Sequence, residues 1–551
     1  MTSVSLDNIA ALLDIIKPDI TDQLISDASF SLHDKASAEQ WAGNLAAASF
    51  ANNAIELYRA LPIAAKLDID PNTKMEILDS LTPTVIRSTE CLLQSQPNQD
   101  TAKAISLGQA LIRQVYEGYK LVIYQLGKQA DITSQTTSAA LAKGILNACN
   151  VLAKIQLYSL SHYLQQPNYF WRELHALHLL AQQLNIAGMD IPNSMGISTS
   201  IDKVYLKLLL FNCTRPNHFS NYELRFVYTE LDFWCSLAEL HRGPRGGLFA
   251  IDPSSNRGAV YADEIEQRSG NIILDTFNLV KFLNSILDQN NDSLFSDRIS
   301  RRVIKDLVRQ WGEKIKRQET HIRDHAQVTI TRGFNSIICM LSRSDSFENF
   351  LLLCGQKPSP PEFGVRGINR TDDIWGTSFE PIDSHPDDPV IFTPARNNKT
   401  RLRLMRGTRT DISLNGACIE LVDNKNELQP GEPIAIRTKG NAKWVAGIIR
   451  WKHITPSLNT FCGLQFPARY CTPAAIRCNP REEQTERQFM QAIILSKKKD
   501  LSDEVTLLCP PLRYSEGTKI YLLTPKKNRA AILREELETT EHLSHFKISF
   551  C

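Results

Sequence analysis

From about Ser37 to Leu341, hydrophobic positions recur at helical spacing. Within residues 105–126, Leu107, Leu111, Val115 and Tyr119 fall along one face, with Ile112 and Tyr116 beside them. That is the stripe of a helix with a wide buried side. Segments 139–164, 170–184, 200–213, 221–240, 271–287 and 304–322 repeat it. Turn chemistry separates them at Gln166-Pro167-Asn168, 188–195, Arg215-Pro216-Asn217 and 243–247. No fixed period relates the helices, so the pattern predicts a helical bundle or an irregular α-solenoid.

The texture changes at 355–364, where Pro358, Pro360 and Pro361 cannot continue a helix and imply a linker or an ordered extended arm. Beyond it the spacing becomes short and alternating. Segments 400–406, 417–422, 433–437, 442–451 and 461–466 read as strands separated by Gly, Asn, Asp and Pro, as in a small antiparallel barrel or sandwich. Further strands are expected at 491–495, 504–508, 519–524 and in a last segment ending Phe546-Lys-Ile-Ser-Phe550. The fold class is therefore α+β and multidomain. Residues 1–345 are expected to form an α-helical scaffold, 346–395 a Pro-rich linker or switch arm, 396–482 a small antiparallel barrel and 483–551 a β-rich extension.

Composition narrows the function classes. With 551 residues, 42 % hydrophobic and 22 % charged, the chain is globular and long enough for several domains. The net charge of +2 argues against a protein held on DNA by bulk charge, and no DNA partner is expected. Twelve dispersed cysteines read as reduced, buried thiols. The first residues lack the charged and apolar regions of a signal peptide, and no run of about eighteen apolar residues occurs, so no transmembrane segment is expected. The expected location is cytoplasmic.

The most informative stretch is Arg409-Thr-Asp411-Ile-Ser413-Leu-Asn-Gly416, an Asp-x-Ser-x-x-Gly pattern at a strand entry. Asp411 can accept from N–H donors such as those on a purine edge or a backbone, the Ser413 hydroxyl serves either polarity, and Gly416 lets a backbone approach closely. The same residues also suit plain turn chemistry. Downstream come a turn and strand at Leu428-Gln-Pro-Gly-Glu-Pro, a strand closing on Arg450-Trp451, and Gly463-Leu-Gln-Phe466. In this order they resemble the PilZ domain, a six-stranded barrel known as a bacterial receptor for cyclic di-GMP, over roughly residues 364–470. The long helical portion is similar to that preceding PilZ in some proteobacterial proteins.

The resemblance implies an Arg-x-x-x-Arg arm just before the barrel that folds over the ligand phosphates, and Arg366-Gly-Ile-Asn-Arg370 has that spacing. Arginine forks suit phosphates and stack on guanine. A rival cluster, Arg401, Arg403, Arg406 and Arg409, adjoins the motif, with Arg406 and Arg409 as secondary candidates. The expected ligand set is Arg366, Arg370, Asp411, Ser413 and Gly416.

Other constellations suggest no chemistry. His175-Ala-Leu-His178 and His321-Ile-Arg-Asp-His325 depart from the zinc-helix pattern, and Cys471 and Cys478 are wrongly spaced for a zinc knuckle. No phosphate-loop, Ser-elbow, cyclase or phosphodiesterase signature occurs. The chain is expected to be no enzyme and to need no metal or cofactor. The expected role is a cyclic di-GMP-binding effector whose barrel changes its docking on the helical scaffold and on an unidentified protein partner in motility, pili or biofilm. The alternative is a protein-interaction scaffold whose PilZ-like barrel binds no nucleotide.

Overall fold

The computed structural model describes residues 6–19, 32–45, 50–92, 101–129, 132, 134–192, 196–242, 246–266, 270–288, 298–315, 320–356, 404–421, 428–478, 489–498, 504–511 and 515–551. They fall into two compact units: one within residues 1–318 that also takes Trp451–Phe461, the other comprising the remainder of the C-terminal half.

The first unit is helical where the stripes predicted it. Helices Thr101–Gly127 and Gln135–Ser161 pack side by side around Leu111, Tyr116, Ile123, Ile145 and Leu152, all buried. Phe170–Gln183, Ile201–Cys213 and Asn221–Trp234 extend that core. Their starts are written in the chain. Ser134 accepts from the Thr137 N–H, Ser200 from the Lys203 N–H, and Ser220 with Glu223 closes a reciprocal capping box. The segments read as 221–240 and 271–287 are only partly helical, because Glu239–His241 and Ile272–Asp275 pair in a small four-stranded sheet with Phe249–Ile251 and Val260–Tyr261. Short apolar runs such as Ile272-Ile-Leu suit either state until a neighbouring strand claims their backbone.

In the second unit the described residues contain two closed six-stranded barrels. The first comprises β1 (Ile322–Arg332), β2 (Met405–Ile412), β3 (Gly416–Leu421), β4 (Pro433–Thr438), β5 (Val445–Ile454) and β6 (Thr460–Gln465). The second comprises β7 (Tyr470–Cys478), β8 (Met490–Ser496), β9 (Val505–Cys509), β10 (Lys519–Leu523), β11 (Arg529–Thr539) and β12 (Ser544–Phe550). Around the first barrel the order is β1-β2-β3-β6-β5-β4 and back to β1. Around the second it is β7-β8-β9-β12-β11-β10 and back to β7, the same path six strands later. Closure leaves neither sheet an unpaired edge.

The α+β architecture follows the sequence, but the segment limits differ. The helical reading of 1–345 runs into β1, whose first half, Ile322–Gln327, is polar and partly exposed and so shows little alternation. A barrel confined to 396–482 would lack that strand and would claim Tyr470–Cys478, which opens the second barrel. Part of the expected linker is ordered as the helix Phe347–Leu353, while 357–403 lie outside the described residues. The β-rich extension supplies five strands of the second barrel, which β7 completes.

Helices Phe334–Ser342 and Phe347–Leu353, inserted between β1 and β2, join the two barrels. Phe334, Ile337, Ile338 and Phe350 pack in one core with Ala435, Trp444 and Ile448 of the first barrel side and Ala475, Ile493, Leu495, Leu508 and Leu523 of the second. Each barrel also has its own interior: Val328, Ile330, Ile419, Ile434, Ile449 and Leu464 fill the first, and Ile476, Ile494, Leu507, Ile520, Leu533 and Phe546 the second. Polar contacts add to the junction. The Thr540 hydroxyl donates to the Gly431 carbonyl at 3.1 Å, and Glu432 stands 3.9 Å from Arg332 and 4.0 Å from His542. Gly431, at φ 86°, could not carry a side chain without strain, and a Cβ there would lie 3.0 Å from Thr540.

Candidate ligand-binding site

The Asp-x-Ser-x-x-Gly stretch forms the hairpin between β2 and β3. The Ser413 N–H donates to the Gly416 carbonyl at 2.9 Å, closing the turn, and the Phe466 N–H donates to Asn415 at 2.7 Å, tying the turn to the end of β6. Gly416 is required by a close approach: a Cβ there would lie 2.8 Å from the Leu464 carbonyl oxygen. It would also sit 3.3 Å from the Ser413 hydroxyl. The Gly-x-x-Phe strand thus explains the glycine that ends the motif.

Two register irregularities meet beside this hairpin. Between the pairs Arg323–Asp411 and Ala326–Arg409, two residues of β1, Asp324 and His325, oppose the single Thr410 of β2. Between Arg409–Ile419 and Asp411–Cys418 the extra residue lies on β2 itself and is Thr410. Such bulges bend strands and re-aim side chains, and they gather at barrel rims near functional sites. Here they bring four charged or titratable groups into two pairs. Asp411 Oδ1 lies 2.9 Å from His321 Nδ1. Arg409 Nε donates to Asp324 Oδ2 at 2.6 Å, and its Nη2 reaches the same oxygen. Arg409 Nη1 lies 3.5 Å from the Thr438 hydroxyl at the end of β4. The Arg409 hydrogen bond and charge, with the backbone donors of His325 and Ala326, hold the Asp324 carboxyl below its ordinary range. Ile322 and Leu414, at 67 % and 88 % exposure, leave bare apolar surface on the elements carrying this cluster. The result is a rim offering a guanidinium, a carboxylate, a hydroxyl turn and apolar side chains.

Asp411, Ser413, Gly416 and Arg409 are brought together. Arg406 is not: alternation along β2 turns it outward, away from the face shared by Gly407 and Arg409, and it is exposed. Arg366, Arg370, Arg401 and Arg403 lie outside the described residues. In chain order Arg366 and Arg370 follow β1, whereas the arm implied by the resemblance precedes the first strand. The stretch before β1 contains Lys314, Lys316, Arg317 and His321. His321 and Asp324 carry no strand signal of their own, since His321-Ile-Arg-Asp-His325 reads in sequence as a histidine pair at helical spacing. The signal for a strand was its continuation, Val328-Thr-Ile-Thr-Arg-Gly333, which alternates and ends on a glycine. The other histidine pair is internal: His175 Nδ1 and Nε2 each lie 2.8 Å from an oxygen, of Tyr205 and of the Arg257 backbone, and His178 lies 2.7 Å from Asp202.

Known proteins resemble this chain along most of its length. Residues 248–473 match the model of the middle PilZ domain of the cyclic-di-GMP receptor FimW. This chain is a PilZ-domain protein. Its PilZ segment is flanked by matches to the FimW N-terminal domain over residues 36–245 and to the FimW C-terminal beta-barrel domain over residues 475–551. The limit between the last two matches falls inside β7, where the second barrel begins. The cyclic-di-GMP receptor FimW of Pseudomonas aeruginosa is 22 % identical over 554 positions, which cover 92 % of this chain and 89 % of that protein. No solved structure matches. The matched models describe a receptor, which is a binding protein rather than an enzyme. Among the described residues no helix of the PilZ protein is long and apolar enough to cross a membrane.

Proposed function

We propose that this chain is a cyclic di-GMP receptor that reads the nucleotide at the bulged rim of its PilZ barrel. The observation that carries the reading is the convergence of Arg409 and Asp411 beside the Ser413–Gly416 turn, in a chain similar along most of its length to a cyclic-di-GMP receptor. Arg409 supplies a fork for a phosphate, and Asp411 an acceptor for the guanine Watson–Crick edge. A second cationic group, from the basic stretch just before β1 (Lys316 or Arg317) or from Arg366 and Arg370, closes over the other phosphate. Binding then alters how the barrel engages the helical scaffold and a protein partner in motility, pili or biofilm. The protein works in the cytoplasm, where the nucleotide is made.

Calorimetric titration of the full chain with cyclic di-GMP, with GMP as control, tests the reading. Micromolar or tighter binding that is lost in Asp411→Ala supports it. Flat heats with a folded protein overturn it in favour of an interaction scaffold, a reading helped by the partners that Arg409 and Asp411 already have within the barrel. Separate Arg317→Ala and Arg366→Ala/Arg370→Ala variants decide which arm contributes.

A further inference from the structure

We infer that Asp324 is a built-in anion that occupies the phosphate seat of Arg409, so that ligand must displace it and Asp324 sets the affinity of the site. The inference rests on the receptor reading above and adds a residue that neither the motif nor the resemblance assigns. Three observations lead to it. Asp324 exists at this place only because of the bulge: with regular pairing between Arg323–Asp411 and Ala326–Arg409, β1 would have one residue opposite Thr410 instead of two. Its Oδ2 takes both Arg409 Nε, at 2.6 Å, and Nη2, the same edge of the guanidinium that a phosphate oxygen pair would grip. The pair is reachable, with side-chain exposures of 28 % for Asp324 and 20 % for Arg409, so an incoming anion can compete for it.

Asp324 is also preorganised. Its Oδ1 accepts the N–H of His325 at 2.7 Å, which orients the carboxylate independently of Arg409. The held guanidinium stays aimed at the rim, with Nη1 toward Thr438. Asp324 therefore both positions Arg409 and competes with the ligand for it. It is a positioning residue, and its negative charge beside the seat also repels a ligand that carries two phosphates. A receptor built this way reaches half-saturation at a higher concentration of its messenger than one with a vacant seat would.

Asn at 324 keeps the acceptor for His325 and removes the charge, which makes Asp324→Asn the informative variant. Full-chain protein is titrated with cyclic di-GMP and, separately, with inorganic pyrophosphate, in four forms: wild type, Asp324→Asn, Arg409→Ala and the double variant. Melting curves confirm that each form is folded. The expected result is cyclic di-GMP binding about two- to fivefold tighter in Asp324→Asn, the span of an accessible ion pair, and measurable pyrophosphate binding gained in the same variant. Both gains should vanish when Arg409 is also Ala. Unchanged or weaker binding of both probes in Asp324→Asn overturns the seat, as does a gain that survives Arg409→Ala. If no form binds cyclic di-GMP while Asp324→Asn binds pyrophosphate through Arg409, the seat stands and the receptor reading falls.

Discussion

The two barrels follow one strand path and differ at the rim. In the PilZ barrel the hairpin after the second strand is the tight Ser413–Gly416 turn, and the strands beside it carry the bulges that assemble Asp324, Arg409 and Asp411. In the second barrel the equivalent connection, between β8 and β9, reads Lys497-Lys-Lys-Asp-Leu-Ser-Asp-Glu504. The β7–β8 and β8–β9 ladders there run in unbroken register. Its irregularities lie between β11 and β12 instead, where Lys547 reaches Glu504 at 3.0 Å and Glu535 at 2.8 Å. A shared topology thus supplies a closed, edge-free frame twice, and among the described residues the bulged rim with the Arg409–Asp324 and His321–Asp411 pairs belongs to the first. On the proposed reading, function sits in the rim chemistry and not in the barrel.

The comparison can be pressed in several ways. The largest effect is expected from the core that the barrels share. Phe350 is fully buried between them, so Phe350→Ala should cost about 3–5 kcal/mol and lower the stability of both barrels in one transition. Chemical denaturation followed by separate probes in each barrel checks this, and a loss confined to one barrel would show them to be independent.

Acid should act next, through the second barrel and the junction. Burial lowers His545 to about 4, Glu538 opposing that shift and Arg450 favouring it. Burial and the neighbouring Arg332 lower His542 to about 4. Both are neutral in the fold, whereas in the unfolded chain they take a proton near the usual histidine value of about 6.5. Their contribution is therefore complete above about pH 6.5 and is lost as the pH falls toward 4. Denaturant midpoints should fall by the equivalent of about 2 kcal/mol or more between pH 7 and pH 5, and a flat profile would contradict the neutral, buried state.

The third effect separates the rims. Asp411→Ala should weaken cyclic di-GMP by at least about tenfold, the scale of hydrogen bonds to a charged group, while leaving the fold intact. Glu504→Ala on the second barrel should leave the nucleotide isotherm unchanged. Equal losses from the two would erase the distinction drawn between the barrels. The smallest effect belongs to the exposed pairs of Lys547: Lys547→Met should change stability by no more than about 0.5 kcal/mol, read as a shift in melting temperature.

Much of this was legible in the chain. The helical stripe of 105–126 led to the helix Thr101–Gly127, and the serines before the helices 135–161, 201–213 and 221–234 mark their starts. The Asp411–Gly416 motif placed the hairpin. The first barrel strand was legible only in its second half, Val328–Arg332, because a strand that ends at a polar rim loses its alternation there. Its partner β2 also lies some seventy residues onward, whereas consecutive elements are usually neighbours. Arg406 and Arg409 looked equivalent until the pleat sent one outward and the other to the rim.

By itself, then, the sequence determined what is local: helix periodicity and caps, the switch from helix to strand, and a turn that needs glycine. Each depends on neighbours a few residues apart, whose sterics and hydrogen bonding act before any long-range contact forms. The tertiary structure alone decided that the chain closes two barrels on one path, that a helical insert cements them, and that Asp324 meets Arg409. Those facts depend on register between segments separated by about eighty residues, and a single inserted residue in β1 changes which side chain faces the guanidinium.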